Sequence, residues 1–166
     1  MDLQTLNSCS EKEAIEAFML CCVSERWCQR MAASRPFADI DAVYQAADDN
    51  WKNLHDADYL QAFEGHPMIG DVSTLRAKYA NTEALASGEQ SSVNEATEQV
   101  IQDLARDNKA YFDKNGFIFI VCATGKSASE MLALLQARMS NDTATEIQNA
   151  ANEQRKITRI RIEKLL

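Results

Sequence analysis

The sequence predicts an all-α single domain: a compact bundle of helices spanning residues 1–166, with one short buried extended segment near residues 117–122. Three observations carry that expectation. A chain of 166 residues with 46% apolar and 25% charged residues matches one folded soluble domain in size and composition. Only 5 glycines and 2 prolines are present, well below the usual combined share of roughly 12%, so the many tight turns of a β-sandwich or small barrel cannot be built. Finally, apolar residues recur at helical spacing behind N-cap signatures along most of the chain.

Ser10 with Glu13 forms a capping box ahead of Ala14, Ile15, Phe18, Met19 and Cys22, which predicts a helix from 11 to about 24. A second helical stretch, Glu25 to Ala33, ends at Arg35-Pro36. Cys21 and Cys28, seven apart, fall on one helical face and read as plain buried thiols. Ile40, Val43, Tyr44, Ala47, Trp51 and Leu54 mark one stripe of a helix over about 39–54. Asp56 is expected to cap a short helix carrying Tyr59, Leu60 and Phe63, stopped by Gly65.

The longest well-punctuated helix runs from Glu89 to about Lys114, with Val93, Thr97, Val100, Ile101, Leu104 and Tyr111 as its stripe and Asn115-Gly116 as its close. Phe117 to Cys122 (FIFIVC) is apolar, β-branched and aromatic, and is ambiguous between an extended segment and a buried turn of helix. A single strand would have nothing to pair with, so burial among helices is expected. Ser127 with Glu130 predicts a capping box and a helix through Met139; Thr143 with Glu146 predicts a third box opening a C-terminal helix to Leu166. No internal repeat or flexible linker is visible.

Charge and cysteine content exclude several functions. A net charge of -8 has the wrong sign for a broad phosphate-binding face, so no nucleic-acid partner is expected. The N-terminus has no basic region, and its most apolar run, Ala17 to Val23, is far shorter than the roughly 20 residues a membrane span needs. Five cysteines without a CxxC pair, with only two histidines, encode neither a disulfide framework nor a metal site. A reducing cytoplasm is the expected compartment.

Few residues stand out for chemistry. His66 sits between Gly65 and Pro67, a stiff corner where the pre-proline residue is pushed toward extended backbone; a solvated loop histidine and a functional one both fit. Arg161 shares its sector of the C-terminal helix with Ile147, Ala150, Ala151, Ile157 and Leu165, whereas Arg159 points the other way. A guanidinium on an inner stripe must pair with a protein carboxylate or await an anionic ligand. Ser87, Glu89 and Gln90 fit the start of the long helix, and capping alone would explain all three. Ala123 to Ser127 (ATGKS) ends like a phosphate-binding loop, but Ile120 stands where that loop needs its first glycine.

Four motifs, FEGHPMIGD (Phe63 to Asp71), SGEQ (Ser87 to Gln90), GFIFIVCATGK (Gly116 to Lys126) and EQRKITRIRIEKLL (Glu153 to Leu166), together with SRPF (Ser34 to Phe37), resemble the OHCU decarboxylase family in order and spacing. The resemblance covers nearly the whole chain. It implies an all-α domain and a carboxy-lyase converting 2-oxo-4-hydroxy-4-carboxy-5-ureidoimidazoline (OHCU) to (S)-allantoin and carbon dioxide in urate degradation. It implies catalytic roles for His66 and Glu89. Substrate contacts would come from Pro67, Ser87, Gln90 and Arg161, and from the segment Phe119, Ile120, Val121, Cys122 and Ala123. The sequence departs from the family pattern at Ile118 and Thr124, where relatives often have proline and arginine.

No cofactor and no metal are implied, a small-molecule substrate is the expected partner, and a homodimer is compatible with the family. Two other functions use the same residues: hydrolysis of a urate-pathway intermediate by water activated at His66 and Glu89, and a non-catalytic helical interaction module in which Arg161 pairs permanently with an internal acid.

Overall fold

Capping residues set most helix boundaries in the computed structural model, which describes residues 1–68, 71–79 and 90–166, with the backbone alone for 90–96. Nine helices and no strand are found among the described residues: α1 (Leu3–Ser8), α2 (Glu11–Met19), α3 (Glu25–Ala33), α4 (Ile40–Trp51), α5 (Asp56–Glu64), α6 (Val72–Tyr79), α7 (Gln90–Asn115), α8 (Ala128–Arg138) and α9 (Thr143–Leu165). None of these helices is long and apolar enough to cross a membrane.

The Ser10/Glu13 box is formed in both directions, with Glu13 N–H donating to Ser10 Oγ and Ser10 N–H donating to the Glu13 carboxylate. The helix it opens stops at Met19, earlier than the pattern predicts. Cys22 and Trp27 lie on opposite flanks of a continuous wheel yet both are buried, which one straight helix with a single apolar stripe cannot achieve. The chain therefore turns at Leu20 and Cys21, becomes extended at Ser24 and restarts as α3. Cys21 and Cys28 consequently belong to different elements rather than to one helical face. Burial pushes the Cys21 thiol up to about 11 and those of Cys22 and Cys28 up to about 12.

Three other boundaries shift for local reasons. Helix α4 ends at Trp51 rather than near 54 because Asn53 takes a left-handed φ of 58°, a conformation asparagine tolerates. His55, not Asp56, stands at the cap of α5, its N–H held by the Asp58 carboxylate at 3.2 Å. The third capping box does not form: Asp142 caps α9 by accepting from Thr145 N–H at 2.7 Å, and Glu146 turns inward. Asp2 and Asp71 cap α1 and α6 in the same way, two short helices whose apolar patterns are too brief to read. Residues 117–123 are neither helix nor strand among the described residues, Phe117 and Ile120 buried and the rest half-buried.

The described residues form two compact units, and the chain passes between them four times. One comprises residues 1–66, 120–122 and 147–166. In it α3 packs on α2, α4 and α5, and Phe18 meets Trp27 and Phe37 edge-on. Its buried aromatic polar atoms are satisfied by backbone: Trp27 Nε1 donates to Ala47 O, Trp51 Nε1 to Ala151 O at 2.9 Å, and Tyr59 OH to Trp51 O. The other unit comprises residues 67–119 and 123–146, with α7 packed on α6 and α8. Its centre is polar: fully buried Glu146 accepts from Tyr111 OH, Arg138 Nε at 2.7 Å and Asn141 Nδ2 at 3.0 Å, and the Arg138 guanidinium lies over the Phe119 ring.

Gly65 ends α5 with an ordinary φ of −69°, so left-handed freedom is not its purpose. A Cβ there would lie 2.6 Å from Val23 Cγ2 and 2.8 Å from Val23 Cβ. Gly65→Ala is therefore expected to destabilise the protein by about 1–3 kcal/mol through overpacking, and in a Val23→Gly background by less than about 0.5 kcal/mol. Urea unfolding of the four proteins checks both values; a penalty that persists without the valine would remove the steric explanation.

Candidate active site

Directly after that crowded glycine, His66 keeps the end of α5 closed, its N–H donating to Phe63 O at 3.2 Å. Its half-buried ring reaches α9, where Nε2 lies 2.5 Å from Gln154 Oε1. Gln154 is 1% exposed and passes the interaction on, its Nε2 donating to Thr158 Oγ1 at 3.1 Å. Burial is the main reason the imidazole is held below the usual histidine range. The Gln154 bond works in the opposite direction, and the nearby Arg161 charge adds to the lowering.

Arg161 is half-buried and donates from one terminal nitrogen to the Cys21 carbonyl at 3.3 Å. No carboxylate lies within ion-pairing distance of it among the described residues. Arg159 is exposed, its guanidinium 3.9 Å above the Tyr44 ring, so the two arginines point to different sides as the wheel predicts. The centre of the buried stripe is displaced from the predicted one: Ala150, Ala151, Gln154, Thr158 and Ile162 are buried, while Ile157, Arg161 and Leu165 flank them.

The apolar segment 120–122 is tied to the same helix by the Cys122 N–H, which donates to Glu153 Oε1 at 3.2 Å, and Glu153 is in turn paired with Lys156. Thus His66, Ile120, Val121, Cys122 and Arg161 fall in one compact unit. Pro67, Phe119 and Ala123 fall in the other: Pro67 is exposed, Phe119 stacks edge-on against Tyr111, and Ala123 O accepts from Lys126 N–H. Ser87 and Glu89 lie outside the described residues, and Gln90 is the first residue of α7. Gln154 and Thr158 were not among the residues singled out from sequence. Their i, i+4 spacing beside two buried alanines is the available signal, masked because polar residues do not register in an apolar stripe.

Among the described residues no three histidine, cysteine, aspartate or glutamate side chains gather to hold a metal ion.

The sequence model of the OHCU decarboxylase family matches residues 7–163. The chain belongs to that family. It is 33% identical over 150 residues to the uric acid degradation bifunctional protein TTL of Arabidopsis thaliana, covering 90% of this chain and 46% of that protein. The chain therefore spans less than half the length of that bifunctional relative. Over 173 residues it is 30% identical to the 2-oxo-4-hydroxy-4-carboxy-5-ureidoimidazoline decarboxylase of Amia calva, covering 100% of this chain and 95% of that one. Among solved structures, OHCU decarboxylase crystallised in the presence of (S)-allantoin superposes with a TM-score of 0.71 at 32% identity, covering 95% of this chain and 98% of that one. The OHCU decarboxylase fold is thus all-α, as the helical periodicity predicts.

Because Arg161 lowers the His66 midpoint, removing its charge should raise it. In histidine NMR titrations, wild-type His66 is expected to titrate below the ordinary value of about 6.5 and Arg161→Gln to move it upward. The linked stability has the corresponding sign: below about pH 6.5 the unfolded chain takes up a proton that the folded chain resists, so stability falls until the lowered folded midpoint is reached. A His66 midpoint at or above the ordinary value would contradict the burial described here.

Proposed function

We propose that this chain catalyses the decarboxylation of OHCU to (S)-allantoin and carbon dioxide. The observation that carries the reading is the pairing of a half-buried histidine, held neutral near pH 7, with an arginine that has no carboxylate partner among the described residues. Membership in the OHCU decarboxylase family supports the same reaction.

The chemistry needs little beyond such groups. Loss of carbon dioxide breaks the carbon–carbon bond to the carboxylate and leaves an electron pair on the ring carbon, which the neighbouring C=N bond accepts. The substrate is its own electron sink, so we propose that no cofactor is required. Neutral His66 takes the proton of the C4 hydroxyl as it becomes a carbonyl and returns one to a single face of the adjacent ring carbon, while the ring nitrogen that received the electron pair takes its proton from water; a histidine is suited to transfer in both directions. Arg161 anchors an anionic or carbonyl oxygen through its planar fork. With a net charge of -8 the protein repels an anion at long range, and a local guanidinium offsets that repulsion where it matters.

Family resemblance assigns the remaining roles: Glu89 assists the imidazole or receives the ureido group, Gln90 and Ser87 bind ring polar atoms, and Pro67 with residues 119–123 supplies substrate contacts. We assign all of them to one functional domain working in the cytoplasm, a compartment that suits the buried thiols of Cys21, Cys22 and Cys28.

The test is a product assay on freshly prepared OHCU. Wild type should release one carbon dioxide per substrate, and His66→Gln should stay folded while losing roughly a hundred- to ten-thousand-fold in kcat. Substrate consumed without carbon dioxide would favour hydrolysis, and a folded His66→Gln protein with wild-type turnover would overturn the assignment.

A further inference from the structure

The Gln154 carboxamide is enclosed and engaged at both ends, by His66 and by Thr158. An amide between two such partners could in principle lie either way round, since an imidazole nitrogen and a hydroxyl can each donate or accept. The contacts in the structure show which way round it lies. Thr158 is 5% exposed, and Gln154 Nε2 donates to its Oγ1 at 3.1 Å while the carboxamide oxygen lies 2.5 Å from His66 Nε2. Gln154 thus presents its NH2 to Thr158 and its oxygen to His66. A ring nitrogen facing an amide oxygen at hydrogen-bond distance must carry a proton.

We infer that Gln154 and Thr158 are positioning residues that hold neutral His66 in the Nε2–H tautomer, leaving Nδ1 as the atom that takes and returns the proton. Nδ1 has no hydrogen-bond partner among the described residues. The other titratable or charged groups facing these residues are Arg161 on α9 and the thiols of Cys21 and Cys22; none hydrogen-bonds the ring. The catalytic part of the inference rests on the decarboxylase reading, whereas the tautomer itself is a property of the resting protein.

The deciding experiment is nitrogen NMR of the full chain with labelled histidine at about pH 8, without substrate, followed by kinetics on OHCU. In wild type the His66 Nε2 signal should be that of a protonated nitrogen and Nδ1 that of a bare one. Thr158→Val, which keeps the shape and deletes the hydroxyl, frees the amide to turn; its His66 signals should move toward a mixture, with kcat falling at least fivefold and KM changing less than twofold. Thr158→Ser should restore the wild-type spectrum. Gln154→Glu keeps an acceptor on Nε2 but adds a charge that favours imidazolium, so the His66 midpoint and the acid limb of kcat/KM should rise together by one pH unit or more.

A wild-type proton on Nδ1, or a Gln154→Glu midpoint unchanged from wild type, would overturn the inference, as would a folded Thr158→Val protein with unaltered spectrum and kcat. Should Thr158→Val not fold, the wild-type spectrum and Gln154→Glu still decide. Absence of carbon dioxide release would sink the decarboxylase reading and leave the tautomer result standing, so the two failures are separable.

Discussion

One hydrogen bond, between the His66 ring and Gln154, joins the end of α5 to the interior of α9, and the local structure is arranged to permit it. Directly before the ring Gly65 leaves room for Val23, and Thr158 receives the other end of the buried Gln154 amide. An amide without partners in this position would cost about 1–3 kcal/mol, comparable with the whole effect of a typical destabilising substitution. Burial then lowers the proton affinity of the ring, and the same environment that constrains the fold sets the chemistry of the histidine.

The two compact units meet the problem of interior polarity differently. In one, neutral groups are linked in series from His66 to Gln154 and Thr158, and Arg161 donates to the Cys21 carbonyl with no carboxylate in ion-pairing distance among the described residues. In the other, the Glu146 carboxylate is surrounded by donors from Tyr111, Arg138 and Asn141. A buried charge so enclosed is costly to disturb, since removing one partner strands the other. Glu146 is thus spent on structure, whereas Arg161 is the residue proposed above to meet an anion.

Much of this was legible in the chain itself. Periodicity and caps located most of the helices, because the Ser10/Glu13 box, the Ser127 cap and the Asn115-Gly116 close act through neighbours three or four residues away. Where capping competed with tertiary demand, local reading failed. Glu146 has the right spacing from Thr143 for a box but is drawn inward by Arg138, eight residues before it. The break after Met19 follows from burial on two sides, which no short window reveals. The corner singles out His66 and the wheel Arg161 as candidates, but Gln154 escapes: a buried amide looks like any surface glutamine until its partner, 88 residues away, is in place.

Stereochemistry tests the account most directly, because only a protein that both releases carbon dioxide and delivers the proton to one face can produce a single enantiomer. Circular dichroism of the allantoin formed when the protein is added to freshly generated OHCU should develop the signal of the (S)-enantiomer far faster than without protein. Racemic allantoin appearing at the spontaneous rate would contradict the assignment of His66 and Arg161 to this reaction.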